Sequence, residues 1–138
     1  MAELSFLDTN VLVYAYQNTD SRKQPVARDL LRKAIAGECV ISSQVLSEFA
    51  ATLLHKFPTP PNAEELAEIF DRLEPIKLIL SDMQIIRRAA QAHRSYRLHF
   101  YDSLIVAAAE RAGCARIWSE DFSAGQKYFG VTVVNPFA

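Results

Sequence analysis

Four acidic residues of this chain lie within or directly beside apolar segments, where an unpaired charge is costly. They are Asp8, Glu48, Asp102 and Asp121. A carboxylate in an apolar environment costs several kcal/mol unless it is paired or binds a metal, and no Arg or Lys is placed nearby in the sequence to pair with Asp8. Carboxylate oxygens are the ligands that hard divalent cations prefer. If the fold brings the four acids together, the sequence therefore predicts a site for divalent cations.

Each of these acids also has a purely structural interpretation. Asp8 directly follows a short apolar run and could act only as a helix N-cap, accepting hydrogen bonds from the amides after it. Asp102 could cap its own helix in the same way. Glu48 could be a solvated helix residue, and Asp121 could cap a turn. No single acid decides between the two interpretations, so the answer depends on where the fold places them.

Apolar runs of strand length alternate with segments of helical periodicity along the whole chain. We predict strands at residues 4–7, 39–41, 76–80, 116–118 and 131–134. We predict a helix after Asp8, and a second with Pro25 in its first turn, capped by Ser21 or Asp20 and ended by Gly37. A third helix is capped by Ser42 and Ser43, a fourth starts at a capping box of Asn62 and Glu65, and a fifth starts at a capping box of Ser81 and Gln84. The last two cover residues 101–113 and the segment before the last strand. The alternation predicts one α/β domain spanning residues 1–138, with a three-layer α/β/α arrangement around a mostly parallel sheet of four to five short strands.

This topology has a consequence for the acids. Parallel strands all end at one edge of a sheet, which is where ligands bind in open α/β sheets. Asp8 follows the first predicted strand and Asp121 follows the fourth, while Glu48 lies in the helix after the second. Asp102 starts the helix that leads into the fourth strand, and the sequence leaves open which edge that helix begins at.

Composition indicates an ordinary globular protein. Of 138 residues, 50% are apolar and 22% are charged, and no apolar stretch approaches the length of a membrane span. The N-terminus lacks the pattern of a secretion signal, so we expect the protein in the cytoplasm and not at a membrane. Cys39 and Cys114 form no disulfide framework or zinc motif, and we interpret both as buried free thiols. The net charge of −1 does not indicate a nucleic-acid binder, but acids that bind cations would leave a basic surplus.

Four segments together are similar to a known family. FLDTN near the start, ISSQVLSEF, FYDSLIVAAAERAGC and IWSEDF resemble the PIN-domain ribonucleases, especially the VapC-like toxins of prokaryotic toxin–antitoxin pairs. The resemblance covers essentially the whole chain. It implies that Asp8, Glu48, Asp102 and Asp121 are the catalytic acids, with Asp8, Asp102 and Asp121 as metal ligands. Thr9, Asn10 and Ser119 match the small polar residues that orient the acids in this family, and Asp121 is the acid that varies most among relatives.

The same resemblance implies a cofactor and partners. The cofactor is Mg²⁺ or Mn²⁺, the substrate is RNA, and the other partners are a small cognate antitoxin and a second copy of the chain. Glu120 stands beside Asp121, but alternation along an extended segment would direct it elsewhere. Two clusters of basic residues are candidates for contacting RNA phosphates. One contains Arg28 and Arg32, and the other contains Arg87, Arg94 and Arg97. The simpler interpretation of each cluster is a solvated face.

Two other functions compete with a ribonuclease. Phosphatases of the haloacid-dehalogenase type also open with a strand and a nucleophilic Asp, but they usually carry a second Asp two positions later, where this chain has Asn10. The other competitor is a non-catalytic binding module with the same fold, which would have no need to keep all four acids. We expect the ribonuclease, and we expect the four acids to share one pocket.

Overall fold

A six-stranded sheet organises the computed structural model, which describes residues 3–138. The strand order is β3-β2-β1-β4-β6-β5, and every neighbouring pair is parallel except β5 and β6. The strands are β1 (Ser5–Leu7), β2 (Cys39–Ser42), β3 (Lys77–Ile79), β4 (Arg116–Trp118), β5 (Lys127–Tyr128) and β6 (Val131–Val134). The central strands β1 and β2 are buried along their whole length, which requires cover on both faces of the sheet.

Six helices supply that cover. They are α1 (Thr9–Tyr16), α2 (Lys23–Ile35), α3 (Ser43–His55), α4 (Ala63–Leu73), α5 (Met83–Tyr96) and α6 (Phe100–Arg111). Helix α1 packs on α2 and α3, and α5 packs on α6. Helix α6 is buried over residues 103–109, and it contacts α5 and the strands β4 and β6. None of the helices in residues 3–138 has the length and apolar character needed to cross a membrane.

The predicted α/β class and mostly parallel sheet are confirmed, but the C-terminal third differs from the prediction. The sheet has six strands rather than four to five, because the two-residue strand β5 is too short to show any periodicity. No helix forms between β4 and β6 within the described chain; residues 119–126 make turns instead. Gly125 lies in this segment at φ +83°, a backbone conformation that favours glycine and is incompatible with a helix.

Helix starts were predicted unevenly. Ser42 and the Asn62–Glu65 capping box are confirmed as N-terminal caps. The capping box predicted at Ser81 is wrong, since Asp82 caps α5 by accepting a hydrogen bond from the Ile85 amide. The cap predicted for α2 is also wrong. The N-cap position is Arg22, whose side chain makes no capping hydrogen bond. The Asp20 side chain instead accepts a hydrogen bond from the Arg22 backbone amide, before the helix begins.

The strands and helices share one continuous hydrophobic core. Phe6, Phe49 and Ile117 are fully buried members of it, and Phe49 directly follows Glu48 on α3. Cys39 and Cys114 are buried free thiols, as predicted. Burial raises the pKa of the Cys39 thiol to about 11 and that of Cys114 to about 12, so neither is a reactive thiolate at neutral pH.

We expect Phe49→Ala to lower the free energy of unfolding by about 3–5 kcal/mol, because the substitution leaves a cavity under α3. Leu54→Ala on the same helix is the matched control: Leu54 is 46% exposed, and the loss there should stay below about 1 kcal/mol. Urea unfolding of the three proteins measures both. Equal losses for the two variants would contradict the placement of α3.

Candidate functional site

Asp8 lies at the carboxyl end of β1 and is also the N-cap of α1. Its amide donates to the Trp118 carbonyl at 3.1 Å, which places Asp8 beside the end of β4. Oδ1 accepts from the Thr9 amide at 2.7 Å, and Oδ2 accepts from the Ser119 hydroxyl at 2.7 Å. The cap interpretation of Asp8 is therefore correct, and it does not exclude a ligand role, because each carboxylate oxygen has a second lone pair.

The Asp8 carboxyl is buried without a cationic partner. Only 5% of the residue is exposed, and within residues 3–138 it forms no ion pair. Burial raises the pKa of Asp8 to about 6, the hydrogen bonds from Ser119 and Thr9 oppose that rise, and the negative charges of Asp121 and Asp102 add to it. The negative charge of Asp8 at neutral pH is therefore destabilised by its surroundings.

Asn10 and Ser119 join α1 to the turn after β4. The Asn10 amide nitrogen donates to Ser119 Oγ at 3.2 Å and to Asp121 Oδ2 at 3.1 Å, and the Asp121 amide donates to Ser119 Oγ at 3.0 Å. Asn10 Oδ1 is buried without a hydrogen-bond partner among the described residues. The amide is therefore held so that its donors face Asp121, at the cost of an unsatisfied acceptor.

Glu48 is held by neutral donors as well. The Thr9 hydroxyl donates to Glu48 Oε2 at 2.9 Å, and Gln44 Nε2 donates to Oε1 at 2.8 Å and to the Tyr101 carbonyl at 3.1 Å. Gln44 lies one turn before Glu48 on α3, so the pair faces the same way. These bonds tie α3 to α1 on one side and to the start of α6 on the other.

Asp102 lies in the first turn of α6, whose N-cap is His99, so the interpretation of Asp102 as a cap is wrong. Burial raises the pKa of Asp102; His99 opposes that rise, and the negative charges of Asp121 and Glu48 increase it. Asp102 also acts on Asp8. Helix α6 therefore begins at the edge where the other three acids lie, which answers the question that the sequence left open.

Glu120 faces away from this cluster, in the direction that strand alternation predicts. Tyr14 donates to its Oε1 at 2.7 Å, and Lys23 Nζ lies 2.8 Å from its Oε2. Lys23 also lies over the Tyr14 ring, 4.6 Å from the centroid. Tyr14, Lys23 and Gln44 are supporting residues that sequence reasoning missed. The signal for Tyr14 and Gln44 was their spacing of four residues from Asn10 and Glu48, which becomes informative only once the partner elements are known, and Lys23 on α2 had no such signal.

The arrangement suits a hard divalent cation. The side chains that converge are carboxylates with amide and hydroxyl groups, the donor chemistry of Mg²⁺ and Mn²⁺. Within residues 3–138, no three Asp, Glu, His or Cys side chains already stand at ligand distance from a common point. Mg²⁺ keeps several waters and uses few direct carboxylates, so a cation at this edge would be held in part through water.

An open groove with a volume of about 460 Å³ runs along these residues, and we call it the acid groove. It is lined by Thr9, Asn10, Glu48, Ala51, Thr52, His55, Lys56 and Asp121. None of the five arginines predicted to contact RNA lines it. Arg28 and Arg32 instead line a separate pocket with Arg72, and Arg28 donates to the Ala15 carbonyl. Of the four acids, only Glu48 and Asp121 line this groove, while the charges of Asp8 and Asp102 act on each other's neighbourhood from the same edge of the sheet. The structure therefore brings the acids to one edge, although not all four into the groove, and it does not bring the predicted arginines with them.

The model of one protein family, the PIN domain, matches residues 5–128. The chain belongs to the PIN-domain family. The match includes β1 through β5 and all four acids, and it confirms the resemblance drawn from the four sequence segments. No curated protein sequence matches the chain closely enough to count as a relative.

Solved structures of toxins share this PIN fold. A chain of a toxin–antitoxin complex from Klebsiella pneumoniae has a TM-score of 0.71 at 19% identity, with 96% of this chain and 97% of that chain covered. VapC20 of Mycobacterium tuberculosis, described as a sarcin-ricin loop cleaving toxin, has 0.67 at 19%, covering 93% and 98%. VapBC2 from Rickettsia felis, bound to a promoter DNA fragment, has 0.68 at 16%, covering 94% and 96%. At these identities the likeness establishes the fold.

The raised pKa of Asp8 predicts a pH-dependent stability effect in metal-free protein. The unfolded carboxyl titrates near 3.8 and the folded one near 6, so the folded state binds this proton more tightly. The stabilisation is present at acid pH and is lost as pH rises through about 6. In a chelator at pH 7.5, Asp8→Asn should therefore be more stable than wild type by up to about 3 kcal/mol, and the difference should vanish near pH 4.

Denaturant unfolding between pH 4 and pH 8 measures this difference. Glu120→Gln is the control of opposite sign: burial works to raise the pKa of Glu120, but hydrogen bonds from Lys23 and Tyr14 hold it below its usual range. Removing that charge should cost stability at neutral pH. If Asp8→Asn also loses stability at pH 7.5 in the chelator, the Asp8 carboxylate is not destabilised by its site.

Proposed function

We propose that this PIN-domain protein is a metal-dependent ribonuclease that hydrolyses RNA phosphodiester bonds and is the toxin of a toxin–antitoxin pair. The observation that carries the proposal is the gathering of four acids, with Asp8 buried and unpaired, at the carboxyl edge of a PIN fold. A fold-level likeness alone would not carry it, because one fold supports many functions. The site geometry supplies what the fold does not.

The residues have distinct parts in this proposal. Asp8, Asp102 and Asp121 would hold Mg²⁺ or Mn²⁺, and Glu48 completes the negative site. When bound, the metal supplies a water of lowered pKa and offsets the negative charge that develops on the phosphoryl oxygens. Thr9, Asn10 and Ser119 hold Glu48, Asp121 and Asp8 through hydrogen bonds from uncharged donors. They orient the acids while leaving their negative charge available for a cation.

The structure also bears on the two competing functions. A haloacid-dehalogenase phosphatase needs a general acid two residues after its nucleophile. The residue there is Asn10, whose amide is engaged by Ser119 and Asp121 and has no proton to exchange in that way. A non-catalytic module would gain nothing from keeping a buried acid whose charge is unfavourable. Both alternatives therefore explain less of the site than a nuclease does.

The partners belong to the same proposal. The solved structures with this fold include a chain of a toxin–antitoxin complex, so we infer a small cognate antitoxin, with the cytoplasm as the place of action. An apolar cavity of about 370 Å³ lies beside edge strand β3, lined in part by Leu46, Phe70 and Leu78.

A homodimer is supported by Met83 and Ile86, which share one face of α5 and are 64% and 45% exposed.

We expect purified protein to cleave RNA only with Mg²⁺ or Mn²⁺ present, and chelation to stop cleavage. Asp8→Asn and Asp102→Asn should lower the cleavage rate by about 100-fold or more, because each removes negative charge from the cation site. Glu48→Gln should lower it by about tenfold to 100-fold. Single-turnover cleavage of a labelled RNA measures these rates.

Glu120→Gln is the matched control for the nuclease assay, because it removes an adjacent acid that faces away from the cluster. Its rate should stay within a few-fold of wild type. Circular dichroism should show all variants folded. Metal-dependent cleavage that is equal in wild type and in Asp8→Asn would mean that the activity comes from elsewhere, and the site assignment would fall.

We expect Met83→Glu to weaken the homodimer, since a charge on an interface core is not solvated when the interface closes. Sedimentation velocity over a range of concentrations should show wild type as a dimer and the variant shifted to monomer. Leu54→Glu on α3 tests whether any exposed apolar position has this effect. A wild-type monomer at all concentrations would remove the dimer from the proposal.

A further inference from the structure

The acid groove has two ends of opposite character. Glu48 and Asp121 lie at one end, and His55 and Lys56 lie at the other. Among the described residues that line the groove, Lys56 carries the one fixed positive charge, and His55 lies beside it. A groove that joins a cation-binding acidic centre to a basic end matches an elongated anion, of which one part meets the metal and another meets the base.

Helix α3 sets the distance between these ends. Glu48, Thr52 and His55 lie four and then three residues apart, so they share one face of the helix, and Lys56 follows His55. Seven residues of α-helix separate Glu48 and His55 by roughly 10 Å along the axis. Thr52 bonds back to the Glu48 carbonyl, and Ala51 is small, so the wall between the two ends carries no charge. The two ends are therefore separate contact points on one rigid element.

Lys56 is free to bind an anion. It is exposed, and it forms no ion pair with any residue in the described part of the chain. Lys23, by contrast, is paired with Glu120, and Lys33 with Asp29. His55 is likewise exposed at the last turn of α3. Because Lys56 has no such ion pair, no ion pair has to break before Lys56 binds a substrate.

We propose that Lys56, assisted by His55, binds a backbone phosphate of the RNA next to the phosphate that lies at the four acids. The inference rests on the proposed ribonuclease function and names how its substrate is held. The acids alone repel RNA, and a bound cation offsets the negative charge of only one phosphate. The basic end of the groove supplies attraction for the neighbouring phosphate and sets the direction of the strand across α3. Lys56 is then a substrate-positioning residue, and the cleavage chemistry stays with the acids.

Lys56→Met tests the proposal, with Lys77→Met as the matched control. Lys77 is an exposed lysine at the start of edge strand β3 and does not line the acid groove, so the two substitutions change the net charge equally. Binding of a short single-stranded RNA is measured by fluorescence anisotropy with Mg²⁺ over a salt series. The variants are placed in the Asp8→Asn background so that the RNA stays intact. Cleavage kinetics are measured on the otherwise wild-type background.

We expect Lys56→Met to weaken RNA binding by about fivefold and to reduce the slope of log K against log salt by about 0.7, the value of one lost phosphate contact on a single strand. In cleavage assays the effect should fall on KM more than on kcat. His55→Gln should add to it, Lys56→Arg should restore binding, and Lys77→Met should match its parent.

Other outcomes separate the failure of this inference from failure of the function. If wild type cleaves RNA but Lys56→Met has the KM, affinity and salt slope of Lys77→Met, the inference is wrong and the ribonuclease stands. A loss of kcat with unchanged RNA affinity would place the action of Lys56 on the acids and would also overturn the inference. If wild type does not cleave and the Asp8→Asn protein does not bind RNA, both proposals fail together.

Discussion

The buried carboxylate of Asp8 among like charges is the constraint on which the rest of the site depends. Three elements distant in sequence approach the end of β1, and each brings another acid. Burial and repulsion raise the pKa of Asp8 to about 6, so the fold spends stability to keep this arrangement. Strained or destabilised groups of this kind persist where the surrounding structure determines them and where function uses them. The hydrophobic core, in which Phe6 and Phe49 are fully buried, stabilises the fold and offsets the unfavourable free energy of the site.

Uncharged donors hold the acids in place, and this choice preserves their charge. Thr9, Asn10, Ser119 and Gln44 give hydrogen bonds to the cluster without neutralising it. Glu120 shows the contrast. It is the adjacent acid and is paired with Lys23, and it faces away from the cluster. The pairing of Lys23 with Glu120 leaves Asp8, Asp102 and Asp121 without a cationic side chain beside them among the described residues.

How much of this was predictable depended on how local the signal was. The strands and most helices follow from apolar runs, caps and Gly37, and Asp8 could be placed at a strand end from residues 4–7 alone. The two-residue β5, the turns after β4 and the Asp82 cap carry no such local pattern. Asp102 needed the path of α6. Gln44 and Lys23 needed the packing of α3 and α2 on α1, because long side chains acquire partners only when elements meet. Lys56 needed the position of the groove.

If the protein is the proposed ribonuclease, the same electrostatics would link its cation to the RNA. Four acids at one edge of the sheet repel a polyanion, so an RNA phosphate approaches them favourably only when positive charge lies between. Whatever free energy the cation adds to RNA binding, RNA must add to cation binding by the same amount. Lys56 stands outside this coupling, since its charge is present with or without the metal. The positive charge at the acidic end of the groove would depend on the metal, whereas the positive charge of Lys56 is permanent. Such a groove would therefore hold RNA weakly without metal and in a defined direction with it.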